Sequence, residues 1–109
     1  MVLVHGMEKA APVMFDRREL AAILNVYGRL VTQGEFRDYA IDGLRGQAVF
    51  SIFRRASETP LYQIVKTPAD ARRQGAYKVV DAAGFVLKRG ADLARVLSVF
   101  DRRRFQVVK

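Results

Sequence analysis

The spacing of hydrophobic residues in the first third of the chain is helical. From Leu20 onward, apolar residues recur every three or four positions, which predicts an amphipathic helix over about residues 16–33. Asp16 and Glu19 have the spacing of a capping box at its start. Gly28 lies inside this helix, where glycine costs about 1 kcal/mol relative to alanine. A glycine at this position is explained either by close packing of the helix on a strand or as a tolerated defect of the helix.

After Gly34 the hydrophobic period changes from 3.6 to 2, which is typical of strands. The alternating segments, separated by glycine or proline, are predicted as strands over residues 36–42, 48–54, 61–66, 77–80 and 85–88. Two glycine-containing loops indicate β-hairpins. A second, short helix then begins near Leu93, and residues 105–108 are predicted as an edge strand.

This order predicts an α+β fold, with an N-terminal helix, a five-stranded antiparallel sheet built from hairpins and a short C-terminal helix. The helices are expected to cover one face of the sheet. In the second strand, alternation directs Phe50 and Ile52 toward the helices and Phe53 away from them. Residues 1–13 have no hydrophobic period and are predicted as a flexible tail, followed by a single domain over residues 14–109.

The positive charge is concentrated in the last third of the chain. The protein has 109 residues and a net charge of +8, and residues 76–109 carry eight of the basic and three of the acidic side chains. A basic concentration of this kind favours polyanionic partners. The leading hypothesis is therefore a non-enzymatic module that contacts nucleic acid through its phosphates. The predicted contact residues are Lys88, Arg89, Arg102, Arg103 and Arg104. The alternative is that these cations serve solubility alone.

Aromatic residues in the strands suggest a second kind of contact. Phe53, Tyr62 and Tyr77 would form a stacking face for single-stranded nucleic acid if they shared the exposed face of the sheet. An exposed apolar sheet face equally suits self-association or a protein partner. A homo-oligomeric or partner-binding protein is thus the alternative function.

The side-chain inventory argues against an enzyme. There is no cysteine, and the one histidine, His5, falls in the predicted tail, so thiol, triad and zinc chemistry lack their residues. Glu35, Asp38 and Asp42 form the densest acidic group, but cross-strand charge pairing explains them more simply than a carboxylate pair or a metal site. No cofactor is predicted.

Glycine motifs give one further candidate. Gly43 and Gly46 have the spacing of an RNA-clamping loop, but that loop joins helices and this one joins strands. Lys88 and Arg89 stand just before the second helix, whose N-terminal amides could bind a phosphate metabolite. This defines a third function, an anion sensor. Asp92 competes for the same amides as an N-cap.

No signal peptide is predicted, because the apolar start is short, lacks a basic residue before it and ends at Glu8. No segment reaches the length of a membrane-spanning helix. The expected location is the cytoplasm, without membrane contact.

Several segments of the chain resemble one family of small alphaproteobacterial proteins that is known only as a domain of unknown function. The resemblance covers residues 15–100. The segments that carry it are Phe15-Asp16-Arg17-Arg18-Glu19-Leu20, Tyr27-Gly28-Arg29, Gly34-Glu35-Phe36-Arg37-Asp38-Tyr39-Ala40-Ile41-Asp42, Val49-Phe50-Ser51-Ile52-Phe53-Arg54-Arg55 and Pro60-Leu61-Tyr62-Gln63-Ile64-Val65-Lys66. It implies a bacterial cytosolic protein and supplies no activity, cofactor or site residue.

Overall fold

A computed structural model describes residues 11–34, 36–55 and 59–101 of the chain. Helix α1 begins the fold, five strands follow, and helix α2 ends it. The helices are α1 (Arg17–Thr32) and α2 (Leu93–Leu97), and the strands are β1 (Asp38–Gly43), β2 (Ala48–Phe53), β3 (Tyr62–Lys66), β4 (Tyr77–Asp81) and β5 (Val86–Gly90). A 3-10 turn at Pro68–Asp70 lies between β3 and β4. The predicted α+β architecture is confirmed. The predicted strand at residues 105–108 lies outside the described residues.

The sheet is a simple meander. Its strands lie in the order β1-β2-β3-β4-β5, and every neighbouring pair is antiparallel. Short connections between consecutive strands favour this arrangement, because an antiparallel neighbour needs no long crossover. Consequently β1 and β5 are the edge strands.

Helix α1 begins with the predicted capping box. The Asp16 Oδ1 atom accepts a hydrogen bond from the Glu19 N–H at 2.8 Å, and the Glu19 Oε1 atom accepts one from the Asp16 N–H at 2.7 Å. These bonds satisfy two amides that have no partner inside the helix. The buried stripe of α1 is Ile23, Val26, Tyr27 and Leu30.

One face of the sheet packs against both helices and forms the core. Phe50, Ile52, Ile64 and Val79 are fully buried there beneath α1 and α2. Removing such side chains from water supplies about 1.5–3 kcal/mol each. The predicted orientation of Phe50 and Ile52 is confirmed.

The opposite side of the sheet, which we call the far face, carries the alternate residues of each strand. In β2 these are Val49, Ser51 and Phe53. Val65 of β3 lies opposite Val49, and the Gln63 Nε2 atom donates a hydrogen bond to Ser51 Oγ at 3.1 Å. The centre of the far face therefore carries uncharged side chains, two of which hydrogen-bond to each other. The charged residues of this face lie on β1, β4 and β5.

The end of the predicted tail joins the domain. Val13 packs against the core, and its N–H donates a hydrogen bond to the Leu44 carbonyl at 2.8 Å. Val13 is thus packed onto the domain, and the predicted division of the chain into a tail and a domain stays a prediction. Residues 1–10 lie outside the described part of the chain.

Gly28 is not a close-packing position. A Cβ atom added there would meet no atom within 4 Å. The explanation by close packing on a strand is wrong, and the glycine is a tolerated defect of the helix. We expect Gly28→Ala to raise the free energy of unfolding by about 1 kcal/mol, because alanine loses less backbone entropy. Urea denaturation measures this; a lower midpoint in the variant would contradict it.

Candidate functional site

The predicted phosphate contacts on β5 belong to two different rows of the sheet. Arg89 lies opposite Lys78 on the far face. Lys88 lies opposite Val79, whose side chain is in the core, next to an irregularity in the β4–β5 ladder. The structure therefore brings Arg89 together with Lys78 rather than with Lys88. The other predicted contacts, Arg102, Arg103 and Arg104, lie outside the described residues.

Lys78 and Arg89 form a pair of like charges directly across two strands. Such a pair is destabilising, since the side chains of facing residues start only about 5 Å apart. Neither cation makes a salt bridge or side-chain hydrogen bond with any residue of the described part. The far-face acids Asp38 and Asp42 lie three strands away on β1, at about 14 Å. At physiological ionic strength that distance exceeds the Debye length of about 8 Å, so neither of these two acids compensates the charge of the Lys78–Arg89 pair.

Three further arginines surround an open cleft at the other end of the sheet, which we call the arginine cleft. Its volume is about 530 Å³. The lining residues are Val31, Gly34, Phe36, Arg37, Arg54 and Arg55. Among the described residues no acid lines the cleft, and its arginines have no ion pair with any of them. Guanidinium groups of this kind suit phosphate or carboxylate oxygens.

The sequence reasoning missed the arginine cleft, although a signal for it was present. The predicted hairpin places the residue before β1 beside the residues after β2, and those positions are Arg37, Arg54 and Arg55. The larger positive charge of the last third of the chain makes this group of three arginines less conspicuous in the sequence.

The predicted stacking residues do not share one exposed face. Tyr62 belongs to the helix-covered side, with its ring 6.0 Å from that of Phe36 and 5.5 Å from that of Phe100. The Tyr77 hydroxyl donates a hydrogen bond to Glu19 Oε2 beneath the start of α1. Phe53 lies on the far face. The structure thus leaves Phe53 alone among the three as a far-face aromatic residue.

The anion site expected at the start of α2 is already occupied by the protein. The Asp92 Oδ1 atom accepts hydrogen bonds from the N–H groups of Ala94 at 3.0 Å and Arg95 at 3.4 Å. Asp92 is the N-cap of a helix only five residues long. The capping explanation is confirmed, and these amides are not free for a phosphate group.

The acidic group on β1 does not form a carboxylate pair. Asp38 and Asp42 point to the same face four residues apart, which separates them by about 13 Å along the strand. Working pairs of carboxylates lie within about 10 Å of each other. No group of three potential metal ligands occurs within residues 11–34, 36–55 and 59–101. Glu35 lies outside the described residues.

Glu19 is the centre of the most connected polar cluster. The residue is buried, and its Oε1 atom also accepts a hydrogen bond from Lys66 Nζ at 2.8 Å. The same Nζ atom donates to the Met14 carbonyl at 2.9 Å, while Tyr77 donates to the second carboxylate oxygen. We call Glu19, Lys66 and Tyr77 the Glu19 cluster. The sequence predicted only the capping role of Glu19, because the contacts to β3 and β4 depend on tertiary packing.

The electrostatics of the Glu19 cluster follow from these bonds. Burial raises the pKa of Glu19. Hydrogen bonds from Lys66, Tyr77 and Asp16, together with the Lys66 charge, lower this pKa by more than burial raises it, so it lies below its ordinary 4.5. Burial, then the hydrogen bond to Glu19 and the charges of Glu19 and Asp16, raise the pKa of Tyr77 to about 12. Near neutral pH the cluster therefore holds one carboxylate with hydrogen-bond donors on both oxygens. It links α1 to β3 and β4.

The fold and the surface define a small basic α+β domain, with a helix-covered antiparallel meander and uncompensated cations at two separate places. By comparison with protein families, the chain belongs to the family described as protein of unknown function DUF2794, whose model matches residues 13–97. Neither the curated proteins nor the solved structures yield a match. Within the described residues no helix is long and apolar enough to span a bilayer.

Proposed function

We propose that this protein is a non-enzymatic nucleic-acid-binding module that contacts phosphates through the Lys78–Arg89 pair. The supporting observation is that two cations face each other across β4 and β5 with no described acid beside them. A phosphate bound between them removes their mutual repulsion and gains two charge-assisted hydrogen bonds. Such contacts position a nucleic acid without reading its bases.

The arginine cleft supplies a second set of phosphate contacts. Arg37 and Arg54 lie at the opposite end of the sheet from Lys78 and Arg89, across three strand spacings. Strand geometry places the two sites roughly 20 Å apart along the sheet, with the cleft beside the end of α1 and the Lys78–Arg89 pair on the far face. A single phosphate metabolite cannot reach both sites, whereas a polynucleotide with many phosphates can. This separation favours nucleic acid over a small-molecule anion. The cytoplasmic location expected from the sequence stays a prediction.

The non-enzymatic part of the proposal is supported by where the perturbed groups lie. Strongly shifted pKa values often mark catalytic residues. Here the pKa of Glu19 and that of Tyr77 are shifted by contacts inside a structural cluster, and each described polar atom that is buried in a side chain has a hydrogen-bond partner. Glu19 and Tyr77 therefore connect the start of α1 to the sheet, and neither of them lines the arginine cleft.

The test is a salt series of fluorescence anisotropy with a labelled single-stranded RNA and a DNA duplex of about 20 nucleotides per strand. We expect Lys78→Gln/Arg89→Gln to weaken binding most at low salt and to reduce the slope of log K against log salt by about 1.5 units. Arg45→Gln/Arg72→Gln is the matched control, because it removes the same charge from exposed loop positions.

The outcomes separate the proposal from a general charge effect. If the control variant loses as much affinity and slope as the Lys78–Arg89 variant, the pair is not a specific contact. If wild-type protein binds neither probe at about 50 mM salt, the proposed function is wrong. Triple substitution of Arg37, Arg54 and Arg55 by glutamine tests the arginine cleft in the same assay, with a larger slope change of about 2 to 3 units.

A further inference from the structure

The exposed hydrophobic side chains of this protein are concentrated at one edge of the sheet. In the described part of the chain, eight large hydrophobic residues are exposed, and six of them lie on β1, at its ends or on the nearby side of α1. These six are Met14, Leu24, Val31, Tyr39, Ile41 and Leu44. Single exposed hydrophobic residues are common, but a contiguous group indicates a binding surface.

The side of α1 next to β1 forms one wall of a groove. Tyr27 marks this side, because its ring lies 5.0 Å from the ring of Tyr39 on β1. Leu24 and Val31, three residues before and four after Tyr27, lie on the same side of the helix. Gly28 is exposed between them with no atom within 4 Å of an added Cβ. We call the space between this side of α1 and the free edge of β1 the β1 groove.

The free edge of β1 offers backbone hydrogen bonds to a further strand. The Leu44 N–H bonds to the Gln47 carbonyl at 2.8 Å, which sets the alternation of bonded pairs along the β1–β2 ladder. By that alternation Ala40 bonds to β2, whereas the N–H and C=O groups of Tyr39 and Ile41 point away from it. Within the described residues β1 pairs with β2 alone. The outward N–H and C=O groups of Tyr39 and Ile41 can therefore hydrogen-bond to an added strand.

The two rows of β1 side chains differ in chemistry. Tyr39 and Ile41, on the helix side, are 46% and 39% exposed. Asp38 and Asp42, on the far face, form no ion pair with a described residue. A strand paired with β1 places its own alternate residues beside these two rows. The complementary segment therefore alternates between apolar and basic residues.

We propose that the β1 groove binds an extended, alternately apolar and basic segment of a partner protein as a sixth strand of the sheet. Its apolar residues would cover Leu24, Tyr39 and Ile41, and its cations would face Asp38 and Asp42. The inference goes beyond nucleic-acid binding and does not depend on the Lys78–Arg89 pair, which lies near the opposite edge of the sheet. The arginine cleft adjoins the β1 groove, because Val31 belongs to both, but strand addition uses the backbone edge and the acids of β1.

A second copy of the chain is disfavoured in one register of this edge. This register is the antiparallel self-pairing centred on Ala40, in which the outward groups of Tyr39 in one copy pair with those of Ile41 in the other. It places Asp38 of each copy opposite Asp42 of the other, and like charges directly opposite are destabilising. Edge strands also use charged residues to prevent pairing. Prevention of strand pairing does not by itself explain the residues of β1, because Tyr39 and Ile41 on its helix side are apolar and exposed.

The test uses a labelled eight-residue peptide of alternating lysine and valine, with alternating glutamate and valine as the control. We expect the lysine peptide to bind the full chain at least tenfold more tightly than the glutamate peptide. This preference opposes the net charge of +8, which by itself attracts the glutamate peptide. Asp38→Asn/Asp42→Asn should remove most of the preference, since two facing charge pairs account for about a tenfold effect.

Ile41→Pro is the most selective variant for strand addition. It removes one outward N–H while leaving the bonds between β1 and β2 in place, a substitution that edge strands tolerate. We expect binding of the lysine peptide to fall by more than tenfold, with Lys78→Gln/Arg89→Gln as the control that binds it like wild type. Gly28→Gln, at an exposed helix position, should also weaken binding by filling the groove.

Three results would overturn the inference. The first is that wild-type protein binds neither peptide, or binds both equally. The second is that Ile41→Pro and Gly28→Gln, both folded by circular dichroism, leave binding of the lysine peptide unchanged. The third is a wild-type dimer in analytical ultracentrifugation that Ile41→Pro dissociates, which would assign the groove to a second copy. If Ile41→Pro fails to fold, Gly28→Gln decides the matter.

Discussion

Gly75→Ala is expected to destabilise the protein by about 3 kcal/mol or more and to lower its melting temperature by roughly 15 °C. Gly75 has a φ of +90°, which L-residues with a side chain rarely adopt. A Cβ atom at this position would lie 2.1 Å from the carbonyl carbon of Gly90 and 2.5 Å from the nitrogen of Ala91. Those are backbone atoms at the end of β5, so relief requires one of two chain segments to move.

Gly84→Ala is the matched control for this substitution. Gly84 has nearly the same backbone conformation, with a φ of +92°, but an added Cβ would have no neighbour within 4 Å. Its expected cost is the conformational term alone, about 1 to 2 kcal/mol. Thermal and urea denaturation of both variants measure the difference. Equal losses of stability in the two variants would show that the close approach of Gly75 to Gly90 does not add to the cost of Gly75→Ala.

The fold was predictable because local signals agree with the tertiary structure over most of the chain. The capping box at Asp16 and Glu19 starts the first helix where the sequence predicted. Alternation in β2 directs Phe50 and Ile52 into the core. The two glycine-containing loops predicted as hairpins join β1 to β2 and β4 to β5, which pair as antiparallel neighbours. Each of these features depends on residues close in sequence.

The candidate site was less predictable because it depends on which strands become neighbours. Lys78 and Arg89 face each other only after β4 and β5 pair with a particular register. Alternation alone places the consecutive residues Lys88 and Arg89 in different rows, but it does not show which residue faces Arg89. Tyr77 was a candidate for a stacking face, but its hydroxyl group donates a hydrogen bond to Glu19, a residue 58 positions earlier in the chain.

The β1 groove shows the same limitation. Alternation places Tyr39 and Ile41 on one side of a strand, but the sequence left open which side of the first strand faces the helices, because Phe36 has the opposite parity. Their exposure follows from the position of β1 at the edge of the sheet, where the Tyr27 ring of α1 contacts Tyr39. Strand order is a tertiary property, so the sequence pattern could define the two rows of β1 but not their accessibility.

The second large effect concerns the Glu19 cluster. We expect Glu19→Gln to lower the free energy of unfolding by about 2 kcal/mol at pH 7, because breaking a largely buried ion pair leaves Lys66 without its counter-charge. The side chains of Lys66 and Glu19 are 18% and 9% exposed. Glutamine still supplies the acceptor of a capping box, so the substitution isolates the charge. Asp70→Asn is the control, since its partner Arg73 is 79% exposed and such pairs contribute less than about 1 kcal/mol.

The pH dependence of the difference between wild type and Glu19→Gln identifies the cause. The pKa of Glu19 is lowered below 4.5 in the folded state, so its stabilisation is present above about pH 4.5 and is lost as pH falls through the folded pKa. The pKa of Tyr77 is raised from 10.0 to about 12, so its contribution is complete below pH 10 and is lost as pH rises toward 12. The difference in unfolding free energy should therefore be largest between about pH 5 and pH 10 and should shrink on both sides. Urea denaturation at a series of pH values measures it, and a difference that does not change with pH would show that the Glu19 charge does not stabilise the fold.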